Sequence, residues 1–184
     1  MIEMIGNMFQ PATYKVANAS ISINPDAICI TTNGFRKNNG ECVMGKGCAA
    51  AVKKAIPAIP RQIGKQIGEY GNRAMKILGT SWNGMNIVMF PVKPISESYN
   101  GSNAVRHMKS RFNIGDTVPG WACVARTELI ETSAKQLVAM TDKFNWTNVV
   151  LPRPGCGAGE LSWDIVRELL SPILDDRFFA ITYR

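Results

Sequence analysis

One histidine, His107, occurs among the 184 residues, so a site built from several imidazoles is excluded. The five cysteines (Cys29, Cys42, Cys48, Cys123 and Cys156) are odd in number and contain no Cys-x-x-Cys pair. That argues against a structural zinc site or a disulfide framework, and they read as small buried hydrophobes. No metal and no cofactor is expected. No apolar run approaches the ~20 residues of a membrane helix. The opening decapeptide, MIEMIGNMFQ, lacks the basic stretch and apolar run of a secretory signal. With nine methionines suited to a reducing interior, the expected location is the cytoplasm, with no membrane partner. Repeats, low-complexity stretches and linkers are also lacking. At 46% hydrophobic and 19% charged residues, disorder is excluded, and one domain over residues 1–184 is expected.

The net charge of +7 is unevenly spread. Thirteen basic and three acidic residues lie between Arg36 and Arg111, while the rest of the chain carries a small negative excess. A basic half attracts nucleotides, phosphates or nucleic acid; a solvated basic surface stays open as the alternative.

Short apolar, partly β-branched stretches predict strands over Tyr14–Ala17, Ala27–Thr31, Met75–Leu78, Asn86–Phe90, Asn148–Leu151 and Phe178–Tyr183. Val149-Val150-Leu151 and Phe178–Ile181 are apolar at consecutive positions, as in strands buried on both faces. Helical spacing lies between them, at Cys48/Ala51/Val52/Ala55, Ile59/Ile63/Ile67, Ile130/Ala134/Leu137/Val138/Thr141 and Ile165/Leu169/Leu170. A further helical segment is expected from Ser102 to about Phe112. Alternating strands and helices predict a three-layer α/β fold. Ligands in such sheets sit beyond the carboxyl ends of the strands. Phe112–Ala125 shows no periodicity and is expected as an inserted loop or flap.

Two strand-to-helix loops carry the chemistry. The first begins Thr32-Asn33 and ends Val43-Met44-Gly45-Lys46-Gly47-Cys48-Ala49. Its glycines let backbone approach a ligand closely. The following helix aims free N–H groups and about half a positive charge into the loop, and Lys46 adds a full charge. Gly47 after Lys46 departs from a Walker loop. The second loop reads Pro152-Arg153-Pro154-Gly155-Cys156-Gly157-Ala158-Gly159-Glu160-Leu161-Ser162-Trp163. It is again glycine-rich and leads into a helix. Two such cradles predict a cleft gripping a diphosphate from both sides; glycine-rich turns without a ligand stay open on these residues alone.

The first loop resembles the VMGKGxA loop of macro domains. Pro152–Gly159 with Leu161 and Trp163 resembles their PxxGCGxGxLxW loop, and Ile181-Thr182-Tyr183 is similar to their final strand. The likeness covers roughly residues 12–100 and 128–184. It implies an α/β/α sandwich on a mixed central sheet and a pocket for ADP-ribose or an ADP-ribosylated macromolecule. It implies adenine near Asn18 and Ala19 and the diphosphate between the loops, with Tyr183 also at the ligand. Within the family the chain is most similar to terminal ADP-ribose glycohydrolases and to antitoxin macro domains that remove ADP-ribose from DNA bases. In the latter a lysine closes an FPTK sequence; Phe90-Pro91-Val92-Lys93 occupies that place and makes Lys93 the catalytic candidate. Two departures stand out: Asn18 replaces the usual adenine-binding Asp, and Gly159, beside Glu160, replaces the Asp of the glutamyl-type hydrolases.

The resemblance implies cleavage at C1″ of the distal ribose, with Lys93 attacking an opened ribose as a neutral amine to form a Schiff base. At an ordinary lysine pKa about one amine in 2,500 is neutral at pH 7, so burial or neighbouring cations must lower it. A non-catalytic reader, a sequestering protein and an ADP-ribose 1″-phosphate phosphatase use the same loops and stay open.

Overall fold

The computed structural model describes residues 1–14 and 23–182. Six strands form one sheet: β1 (Ile2–Ile5), β2 (Ala27–Asn33), β3 (Met75–Trp82), β4 (Met85–Lys93), β7 (Val149–Pro152) and β8 (Phe178–Thr182). Their order is β1-β8-β7-β2-β4-β3, and β3 alone runs antiparallel to its neighbour. The remaining two, β5 (Ser96–Ser98) and β6 (Thr117–Pro119), make a separate antiparallel ribbon.

Alternation along the central strands generates the layers. Ile28 and Ile30 of β2, Ile87 and Met89 of β4, and Val150 of β7 face one side. There they pack against Val52 of α1 (Gly47–Ala55) and Ile59, Ile63 and Ile67 of α2 (Ile59–Tyr70). Ala27, Cys29, Val88, Phe90, Val149 and Leu151 face the other side. They meet Ile130, Ala134 and Leu137 of α3 (Thr127–Phe144) and Val166 and Leu170 of α4 (Trp163–Leu170). Both faces of the sheet are thus covered, which is why its strands are apolar at consecutive positions. This is the expected α/β/α sandwich on a mixed sheet.

Three local expectations differ. Tyr14 closes a 3-10 turn, Pro11–Tyr14, rather than opening a strand, and the rest of that stretch, 15–17, lies outside the described residues. Strand β1 was not expected: Ile2-Glu3-Met4-Ile5 is too short for a readable pattern and is held by pairing with β8. Helical structure after Ser102 shrinks to a 3-10 segment, Arg106–Arg111, because the Ser102 hydroxyl bonds Asn100 instead of capping a helix.

Phe112–Ala125 is the second half of a longer excursion that leaves β4 after Lys93 and returns at α3. The whole excursion contains the β5–β6 ribbon and a small core of Tyr99, Ala104, Val105, Met108, Val118, Ala122 and Cys123. Its base is clamped by the Arg126–Glu97 ion pair at 2.7 Å. Among the described residues, no helix is long and apolar enough to cross a membrane.

Candidate functional site

The parallel strands β2 and β4 end side by side, with Asn33 in register with Lys93. The loop after β2, the loop after β7 and the excursion after β4 rise around these ends and enclose a cleft of about 960 Å³.

In the first wall, Lys46 has an extended backbone (φ −143) and α1 begins at Gly47, where φ is +61. The backbone N–H groups of Gly45, Lys46, Gly47 and Cys48 meet no protein acceptor among the described residues. They are the unsatisfied donors of a helix start, and they suit an anion. A Cβ at Gly45 would meet nothing within 4 Å, so the backbone borders open space. Asn33 holds the loop, donating from Nδ2 to the Val43 carbonyl at 2.9 Å and accepting from Phe35 N–H at 3.1 Å. Below it, the Cys48 thiol sits 3.2 Å from Thr31 Oγ1 and accepts from Thr31 N–H at 3.3 Å. Burial raises this thiol's pKa. Thr32 also lines the cleft, with its buried hydroxyl unpartnered among the described residues.

The second wall folds on itself through Glu160 N–H to the Gly157 carbonyl and Leu161 N–H to the Gly155 carbonyl, both at 3.0 Å. That leaves the N–H groups of Gly157, Ala158 and Gly159 without a protein acceptor among the described residues. Gly157 borders open space as Gly45 does. Gly155 and Gly159 lie where a Cβ would fall 2.9 and 2.6 Å from Ala125 Cβ, so these two glycines permit the loop to pack on the excursion. The loop entry is pinned by Glu3, whose carboxylate accepts from Arg153 at 2.9 Å and from the Trp163 indole at 3.1 Å. The Arg153 guanidinium lies 4.8 Å above the Trp163 ring centre.

At the floor, Lys93 is 7% exposed and its Nζ donates to the carbonyls of Ala158 at 2.8 Å and Trp121 at 3.3 Å. Among the described residues, no carboxylate forms an ion pair with it. Burial, which disfavours the ammonium, pulls its pKa down to about 8; the Lys46 charge acts in the same direction, and Cys123 and Glu160 oppose it.

The residues expected at the site divide as follows. Lys93, Thr32, Asn33, Val43, Gly45, Lys46, Gly47, Cys48, Gly155, Cys156, Gly157, Ala158, Gly159 and Leu161 line one cleft. Met44 and Ala49 instead point into the core beneath the first loop, and Pro154 is buried away from the cleft surface. Glu160 turns from the cleft and accepts from the Arg106 backbone N–H. Asn18, Ala19 and Tyr183 lie outside the described residues. Sequence reasoning missed Met8 and Phe9 from the N-terminal segment, and Val105, His107 and Trp121 from the excursion. Phe9 packs edge-on against Trp82, and His107 Nε2 lies 3.4 Å from Lys46 Nζ across the cleft mouth. Their segments carry no motif; a signal existed for Trp121 alone, in the lack of periodicity over Phe112–Ala125.

No protein-family model and no curated protein matches the sequence. Solved structures do. The chain is similar to the macrodomain of Thermus aquaticus DarG over 100% of its own length and 97% of the other's, at 21% identity and a TM-score of 0.64. The macrodomain of Mycobacterium tuberculosis DarG matches at 19% identity and a TM-score of 0.61, covering 98% of this chain and 97% of that one. A structure of Thermosipho africanus DarTG in complex with ADP-ribose matches at 17% identity and a TM-score of 0.59, over 89% of this chain and 40% of that one. The layered sheet, its strand order and these likenesses together give the chain the macrodomain fold.

Proposed function

We propose that the cleft binds ADP-ribose and that Lys93 releases it from a modified macromolecule, with ADP-ribosylated nucleic acid as the preferred substrate. The diphosphate fits between the free amides of Gly45–Cys48 and those of Gly157–Gly159, where Lys46 adds charge. The ADP-ribose held by Thermosipho africanus DarTG supports this ligand.

The observation that carries the catalytic reading is the state of Lys93: a buried amine on the cleft floor with two backbone carbonyls for partners. With a pKa of about 8, about one amine in ten is neutral at pH 7, a gain of about two orders of magnitude over an ordinary lysine. The distal ribose opens as its ring oxygen leaves C1″ with the electron pair and takes up a proton, and the neutral Nζ adds to C1″. The base nitrogen then leaves with the electron pair of its bond to C1″ and takes the proton that Nζ gives up, so that a Schiff base joins Nζ to C1″. Water adds to C1″, Nζ leaves as the free amine, and the ring oxygen recloses on C1″ to give ADP-ribose. The diphosphate offsets positive charge developing at the ribose.

The test is incubation of the protein with ADP-ribosylated DNA, ADP-ribosylated protein and ADP-ribose 1″-phosphate. Release of ADP-ribose from the DNA is expected. Release from protein alone would move the substrate class, phosphate release alone would make the protein a phosphatase, and no release would leave a reader.

A further inference from the structure

The excursion meets the cleft walls through three polar contacts that involve a side chain of the walls. The Trp121 carbonyl accepts from Lys93, His107 meets Lys46, and the Arg106 N–H donates to both carboxylate oxygens of Glu160, at 2.9 and 3.1 Å. The third contact stands on an unusual backbone. Glu160 has φ +62, and the other non-glycine residues at positive φ among those described are asparagines, Asn83 and Asn145. Asparagine tolerates that region through its short polar side chain; glutamate has no such advantage, and neighbouring Gly159 would fit it more easily. A strained residue persists where its surroundings hold it. Here the loop's own bonds, Glu160 N–H to Gly157 and Leu161 N–H to Gly155, hold the backbone, and the side chain is held by a backbone N–H 54 positions away, at the start of the 3-10 segment Arg106–Arg111.

The second loop grips the excursion at its far end too. Ala125 N–H donates to the Gly159 carbonyl at 2.9 Å. Trp121, whose carbonyl sits on Lys93, lies between the two grips.

We propose that Glu160 is a positioning residue whose carboxylate latches the excursion to the second loop and so keeps the Trp121 carbonyl on Lys93 and water away from the amine. The inference deepens the hydrolase reading, since it gives the reacting amine its environment, yet its test requires no turnover.

Lys93 faces Trp121 and Cys123 from the excursion, Ala158 and Glu160 from the second loop, and Lys46 from the first. Glu160 therefore acts on it in two opposite ways. Its negative charge favours the ammonium directly. The latch, by excluding water, disfavours the ammonium. Glu160→Gln removes the charge but keeps an oxygen that accepts from Arg106 N–H. Glu160→Ala removes both, and Glu160→Gly does so while relaxing the backbone, which guards against a variant that fails to fold.

The experiment is a pH titration of the Lys93 ¹³Cε resonance in protein labelled at lysine, assigned by its absence from Lys93→Met. The latch predicts that Glu160→Ala and Glu160→Gly raise the Lys93 midpoint by at least ~1 pH unit, a tenfold change in proton affinity, toward that of a free lysine. Glu160→Gln is expected to leave it unchanged or lower it. Any other pattern overturns the proposal; in particular, a fall in all three variants would mean that Glu160 acts by its charge alone. A wild type that released no ADP-ribose but gave the expected midpoints would sink the hydrolase reading and keep the latch.

Discussion

Lys93 Nζ lies 2.8 Å from the carbonyl oxygen of Ala158, which joins the end of a central strand to the crest of a loop 65 residues later. The contact puts the amine under the loop whose free amides suit a phosphate. It also buries a cation that no carboxylate among the described residues meets in ion-pair contact, and this burial makes separate predictions for stability and for rate.

Lys93→Met should stabilise the folded protein at pH 7. The folded-state pKa of about 8 lies below that of a free lysine. Below pH 8 the amine is protonated in both states, and the folded state bears the full penalty of burying the charge. The penalty fades as pH rises from about 8 towards ~10.5, where the unfolded state also loses its proton. Methionine keeps the chain length without the charge, so a gain of roughly 1–2 kcal/mol, or about 2–8 °C in melting temperature, is expected at pH 7. The gain should vanish near pH 10.5. A fall in melting temperature at pH 7 would contradict the burial argument.

The same variant should lose turnover by at least ~100-fold while retaining ADP-ribose binding. Borohydride should trap a covalent adduct with the wild type and none with Lys93→Met. In the wild type, kcat/KM should rise about tenfold per pH unit below pH 8 and level off above it, following the neutral amine of the free protein. A rate that falls across this range would assign the protonated form to the chemistry.

Much of this arrangement was legible before folding, because two kinds of signal are local. The consecutive apolar residues of β7 and β8 and the 3.6-residue spacing in α2 and α3 report burial without reference to partners. The two glycine-rich loops are likewise contiguous. What escaped notice depends on distant pairing. Ile2–Ile5 becomes a strand by lying beside β8, and Ser96–Ser98 by lying beside Thr117–Pro119. Glu160 was expected at the ligand from its neighbours in sequence, but a positive φ turns it to Arg106. The burial of Lys93 likewise depends on Trp121 and Ala158, neither of them near it in sequence.

Gly157→Glu and Gly45→Glu should each abolish measurable ADP-ribose binding and leave the fold intact. At both positions a Cβ meets nothing within 4 Å and φ lies outside the left-handed region. The new side chain therefore enters the cleft without strain, where its carboxylate repels the diphosphate. Melting temperature should stay within about 2 °C, the scale of a surface substitution. A folded variant with wild-type affinity would remove that loop from the binding site.

Calorimetric titration of the wild-type protein with ADP-ribose, alongside AMP, tests the two-walled cleft most directly. The free amides on both walls predict saturable ADP-ribose binding with a Kd of about 1 μM or tighter, near −8 kcal/mol. AMP lacks the second phosphate and the distal ribose and should bind at least ~10-fold more weakly, a difference of about 1.4 kcal/mol. Absence of ADP-ribose binding, or equal affinity for the two ligands, would contradict a diphosphate held between Gly45–Cys48 and Gly157–Gly159.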